Sequence, residues 1–430
     1  MQRSNAPTTP SPRRWRGSAA VAALLLLGAC APAAVTGGGA PTLEPQVRVG
    51  LLVDTTSVEL SSATGFSLAA STDGGTVAEF GAGERVVLST DASGRLRYQP
   101  TSAAAPMPTE ARLLVARPAA GGTLLIGGKP YRGSALLRPA SPGHVTAVNL
   151  VDMETYLLGV VPQEIGKVGE ELLEAAKAQA VAARTYAMKY MGRRESLGFD
   201  VFATVQDQVY GGVAAEHDPV SRAVRATAGE ILTYQGEPIE AYYHSTCAGQ
   251  TAAIDEVWDA APLPYLVSVV DVDPATGEAY DRSSSRFQWT ERWTVPQLTG
   301  ILNRTLADSL PAGTNDIGEL RDLRVLARTP SGRVEAMAIV TSVDTFVVGG
   351  DRIRWTLATT RGPILNSSKF DVQIVRDAQN RPVEVVATGG GWGHGIGMCQ
   401  VGAMGRARAG QDYRTILSAY FPNTRLTDLY

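Results

Sequence analysis

The sequence predicts an α+β protein, with strands and helices segregated along the chain rather than alternating. Three observations carry this. Short β-type runs separated by Gly, Asp and Ser occupy the chain from about residue 47 to 116. Helical periodicity begins only near Val168, and strand patterns return over about residues 315–375. With 430 residues, 44% of them hydrophobic, the chain can bury one large core or two modest ones.

The chain opens with a basic flank, Arg3, Arg13, Arg14 and Arg16, followed by the apolar run Ala19 to Leu27. That run is short for a bilayer span but fits the hydrophobic core of a signal peptide. It ends in Leu27-Gly28-Ala29-Cys30, where small residues suit a peptidase groove and the Cys30 thiol suits lipidation. Residues 1–29 therefore read as a lipoprotein signal peptide. Residues 30–45, with Gly37-Gly38-Gly39, read as a flexible tether. The expected location is extracytoplasmic, on a membrane through the Cys30 lipid. Without residues 1–29 the chain carries 35 basic and 42 acidic residues. A mildly acidic balance argues against nucleic acid, whose phosphates demand clustered cations.

A β-rich module is expected over 46–140, with strands at Val47–Val53, Phe66–Ala70, Arg85–Ser89 and Leu113–Ala116. An α+β domain with a central groove is expected over 141–430. Within it, Leu172, Leu173, Ala176, Ala180, Ala183 and Ala187 share one face of a helix running to about Met191. This alanine stripe lets another element come close. A second helix is expected near Asp218–Ala228, stopped by Gly229. Strands follow at Ile231–Tyr234 and Ile239–His244, with Gln235-Gly236 turning between them. A Gly-rich loop from Gly389 to Gly397 leads into a helix over about Cys399 to Ala409. That loop lacks the Lys-Ser/Thr ending of a phosphate-binding P-loop.

Five motifs occur in order between residues 148 and 403: Val148 to Glu164, ending Val160-Val161-Pro162-Gln163-Glu164; Ala176 to Ala187, with Arg184-Thr185-Tyr186; Tyr210-Gly211-Gly212 followed by Ala223 to Gly229; Tyr243-His244-Ser245-Thr246-Cys247-Ala248-Gly249-Gln250-Thr251; and Gly393 to Ala403. Together they resemble the SpoIID/LytB family of sporulation proteins and amidase enhancers. The resemblance departs at Cys247 and Cys399, where many relatives carry Ser, and at Ala248, where Gly is usual. It implies an envelope protein acting on peptidoglycan glycan strands. It implies either a lytic transglycosylase or an activator of a cell-wall amidase. Glu164 would then be the catalytic acid, with Arg184, Tyr186, Lys177, Tyr210 and Trp392 as candidate substrate-binding residues.

The residues support that chemistry on their own terms. A lytic transglycosylase needs one carboxyl group, which protonates the leaving oxygen and then takes the proton of the sugar's C6 hydroxyl. Pro162 ends a strand-like run, so Glu164 is expected on a connection just before the helix starting near Val168. A helix N-terminus there would lower its pKa, opposite to what a general acid needs, unless burial wins. A bland alternative makes Glu164 a helix cap. Arg184 equally suits an ion pair with an internal acid, and Tyr210 and Trp392 equally suit core packing. The reaction requires no cofactor. Even so, His244, Cys247, His394 and Cys399 are of the right types for tetrahedral zinc, with a disulfide, neighbouring thiols or plain packing as alternatives. A thiol peptidase built on Cys399 and His394 lacks an evident orienting third group.

Overall fold

The computed structural model describes residues 43–430, so Cys30, the signal peptide and most of the tether lie outside it. The described part opens as two antiparallel-rich sheets. One orders its strands Val201–Phe202, Gln46–Thr55, Val145–Asp152, Ser134–Pro139, Leu114–Pro118, Phe66–Ala69 and Thr76–Phe80. The other orders Lys129–Tyr131, Leu124–Ile126, Val58–Ser61, Arg85–Thr90, Leu96–Pro100 and Met107–Pro108. Burial alternates along strands such as Arg85–Thr90, and Val47, Val49, Leu60, Val86, Leu88, Leu137 and Ala147 meet in one core. Period-two burial is what a half-covered strand demands.

Val145–Asp152 pairs antiparallel with Gln46–Thr55 on one side and Ser134–Pro139 on the other, so the sheet runs on past residue 140. Its residues are buried on both faces. Val145 and Ala147 face the main core, whereas Val148 joins Val115, Leu136 and Phe199 in a smaller cluster on the outer side. That is why this stretch reads as a continuous apolar run.

The helical part begins immediately afterwards. Helix α1 spans Met153–Glu164, α2 spans Leu173–Tyr190 and α3 spans Asp218–Ala226. Helix α2 is buried almost all round, with Ala175, Ala178 and Ala182 covered as well as the anticipated Ala176, Ala180 and Ala183. A helix apolar on every side belongs in the centre of a bundle. Gln235 and Gly236 both take positive φ, 53° and 89°, and turn Glu230–Tyr234 back onto Glu237–Pro238. The expected strand Ile239–His244 is largely absent. The Ala241 and Tyr242 amides bond two residues back, to Ile239 and Glu240, which bends the chain and leaves only Tyr243–His244 extended.

Between about 289 and 389 the chain builds a unit with a core of its own. Strands Trp289–Thr294, Pro382–Gly389 and Phe370–Arg376 form one sheet, and Leu320–Arg328, Val334–Thr341 and Thr345–Gly349 another. Two helices accompany them, α4 at Val295–Thr305 and α5 at Arg352–Thr356. Trp293, Leu298, Leu302, Met337, Ile339 and Val385 gather there, separate from the main core. The chain then returns to the bundle as α6, Gln400–Arg408, and α7, Tyr413–Tyr420. Among the described residues no helix is long and apolar enough to cross a membrane.

Candidate active site

Glu164 is the last residue of α1, not part of a loop before the next helix. The apolar run Val148 to Val161 conceals a change of structure at Asp152. Beyond it Met153, Tyr156, Leu157, Val160 and Val161 recur at three- and four-residue spacing, and all are fully buried. Pro162 sits inside the last turn. The chain leaves the helix at Gly166, whose φ of 90° suits glycine.

This position reverses the electrostatic expectation. A helix C-terminus carries the negative end of the macrodipole and disfavours a carboxylate. Burial acts the same way and is the larger effect, lifting the Glu164 carboxyl from 4.5 to about 7. Opposing it are hydrogen bonds from the Val209 amide, 2.8 Å from Oε1, and from the Tyr243 and Gln400 side chains. All three partners are neutral.

Each partner is itself held. The Gln208 side chain donates to the Tyr243 hydroxyl at 3.1 Å and to the Ala183 carbonyl at 3.2 Å, and accepts from the Tyr156 hydroxyl at 3.0 Å. The Gln400 amide donates to Gln179 of α2 at 3.3 Å. Burial and the neighbouring Glu164 push the Tyr156 and Tyr243 phenols well above their usual range, so both stay protonated donors. Gln208, Tyr243, Gln179 and Gln400 were not singled out from the sequence. The available signal was polar side chains inside otherwise apolar motifs.

The other expected site residues are placed differently. Arg184 is fully buried and makes a two-pronged ion pair with Glu154, both contacts at 2.7 Å. It also donates to the Glu230 and Val224 carbonyls. Its charge braces α1, α2 and the strand at Glu230, and its full burial keeps it from a sugar. Lys177 pairs with Glu174 and lies over the Tyr413 ring. Tyr210 is buried between Tyr131 and Tyr156, its hydroxyl on Asn149, and presents no open face. The Tyr186 hydroxyl donates to Asp207, and its ring is buried against Tyr190 and Tyr242. Trp392 alone of these keeps a partly open ring, with the Arg286 guanidinium stacked on it at 4.4 Å.

The glycine loop lies against the strand that carries Tyr243. Gly391, Gly393, Gly395 and Gly397 all take positive φ, and a Cβ on Gly393 would stand 2.8 Å from that of His244. Tyr243–His244 pairs in parallel with Met398–Cys399, which draws His244, Cys247 and Cys399 into one buried cluster. His394 does not join it. Its Nδ1 accepts from the Ile396 amide and its Nε2 donates to the Tyr243 carbonyl, each at 3.0 Å. With both ring nitrogens engaged it is neither a ligand nor a base for Cys399. Burial pushes the Cys399 thiol up, which closes the peptidase reading. Cys247 and Cys399 are free thiols in this structure.

The fold is thus α+β, and at the end of α1 it recesses the Glu164 carboxyl among neutral donors. The chain belongs to the SpoIID/LytB family. A family model described as Stage II sporulation protein matches residues 141–234, and one described as a domain of unknown function matches residues 275–397. The chain is 32% identical over 304 residues to an uncharacterized protein of Brachyspira hyodysenteriae, spanning 70% of this chain and 74% of that one. It is 30% identical over 301 residues to the amidase enhancer of Bacillus subtilis, covering 63% of this chain but 40% of that longer protein. Stage II sporulation protein D of Bacillus subtilis is 28% identical over 297 residues, covering 66% and 76%.

Proposed function

We propose that this protein acts on the bacterial cell wall as a peptidoglycan lytic transglycosylase, with Glu164 as acid and then base. The observation that supports the reading is the recessed Glu164 carboxyl, raised to about 7 by burial and held by neutral partners. Two-carboxylate glycosidases need a second acid to supply a nucleophile or activate water. One carboxyl suffices when the sugar attacks itself. Glu164 protonates the glycosidic oxygen, and the bond to C1 breaks. The resulting carboxylate then takes the C6 hydroxyl proton as that oxygen closes onto C1. The product is a 1,6-anhydro end, and Glu164 is protonated again. A carboxyl that titrates near neutrality serves both transfers. Anchoring through a lipidated Cys30 is part of the proposal and would hold the enzyme at the membrane facing its polymer.

The likeness to a named amidase enhancer favours a second reading, in which the same site binds glycan and stimulates a separate amidase. One digestion separates the two. Purified protein is incubated with glycan strands stripped of stem peptides, and the products are read by mass. Anhydro ends establish the enzyme. Their absence, together with faster stem-peptide release by an added amidase, establishes the activator.

A further inference from the structure

The buried cluster one residue along from two of Glu164's partners has chemistry of its own. His244, Cys247 and Cys399 bring one imidazole nitrogen and two sulfurs within 4.8 Å of one another. The Nδ1 of His244 lies 3.2 Å from the Ile396 carbonyl, an acceptor, so Nδ1 carries the proton. Nε2 is then a buried lone pair, and it has no partner. An unmet buried acceptor is costly to leave unsatisfied. Beside it, the Arg333 guanidinium is also buried, with Nε and Nη1 lacking any acceptor.

We propose that His244 Nε2, Cys247 Sγ and Cys399 Sγ bind a structural zinc ion, with Asp281 or a water in the fourth position. Zinc takes imidazole nitrogen and thiolate sulfur tetrahedrally at about 2.0–2.3 Å. Ligands at those lengths stand roughly 3.3–3.8 Å apart, and Cys399 Sγ already lies 3.7 Å from Asp281 Oδ2. Loading the ion releases two protons, one from each thiol. The two thiolates offset its charge. His244's lone pair is satisfied by the metal, and its Nδ1–H keeps the carbonyl bond that fixes ring orientation in zinc sites. The ligands come from stretches more than 150 residues apart, so the ion would pin the Tyr243 strand to the start of α6. Tyr243 precedes one ligand and Gln400 follows another. The ion would thereby hold both side chains on the Glu164 carboxyl. This inference does not rest on the transglycosylase reading.

The test is metal content. Full-length protein is purified without chelator through a tag lacking His and Cys, and zinc is measured by mass spectrometry. One zinc per chain is expected, falling at least tenfold in Cys247→Ser and in Cys399→Ser but retained in His394→Gln. Replacement by cobalt should give a thiolate-to-metal charge-transfer band, which reads the sulfur ligands even if a variant folds poorly. The proposal is overturned if wild-type protein holds no zinc and takes up none when supplied. A Cys247–Cys399 disulfide in the native protein, or undiminished zinc in folded serine variants, overturns it equally.

Discussion

Glu164 ties catalysis and stability to the same proton. Its carboxyl titrates near 7 in the folded chain against 4.5 in the free side chain. Between those values the folded protein keeps a proton the unfolded chain has lost, so this residue's contribution to stability falls as pH rises through the window. Glu164→Gln removes that dependence. Its stability relative to wild type should climb from pH 4.5 to 7 and level off above, by up to about 3 kcal/mol at roughly 1.4 kcal/mol per unit. Urea melts at several pH values check this; a flat difference would mean the carboxyl is not perturbed. Arg184 behaves oppositely. Arg184→Met leaves the part-buried Glu154 without its charge partner, keeping only the Gly229 amide and the Tyr430 hydroxyl as donors, and a loss of about 3 kcal/mol is expected. A near-neutral effect in the same melts would move Arg184 back toward the substrate. The sequence offered Glu164 as a candidate acid but not its setting at a helix end. Nothing local distinguishes Arg184 paired with a glutamate thirty positions earlier from Arg184 reaching for a sugar, because that choice is made by how α1 packs on α2.

Helix α1 shows what the pattern of residues could and could not convey. The β-branched pair Val160-Val161 and the adjacent Pro162 imitate the end of a strand, yet the helical spacing of Met153, Tyr156, Leu157, Val160 and Val161 is legible once Asp152 is taken as the break. Two helices carried readable signals that were passed over. Thr294 and Gln297 form a capping box at α4, with a proline in its first turn. Asp412 caps α7, and Ile416, Leu417 and Tyr420 make its buried face. The strand near Ile239 was misread because apolar composition does not reveal two-residue turns. Gly159 is the most exacting position in α1. Alanine would ordinarily favour a helix, but its Cβ would stand 2.6 Å from the Tyr210 ring. Gly159→Ala should therefore destabilise by about 1–3 kcal/mol, measured by chemical denaturation. Unchanged or increased stability would show that Tyr210 is free to move.

At the scale of the whole molecule, the β-rich opening and the α+β class were legible because period-two and helical spacing are local properties. The separate core around Trp293 was not, since its strands resemble those of any other sheet. The proposed membrane attachment depends on Cys30. Cys30→Ala should move the protein from the membrane fraction to the soluble one on sedimentation, and continued pelleting would rule out the lipid. The central claim is that one carboxyl group performs both proton transfers, and the measurement closest to it is product formation by Glu164→Gln. This variant keeps the shape of the side chain and cannot donate the proton, so anhydro-end formation on stripped glycan strands should drop by about 10²–10⁴-fold. Glycan binding should persist, and wild-type activity should fall as pH rises past about 7. Wild-type amounts of 1,6-anhydro product from Glu164→Gln would contradict the account.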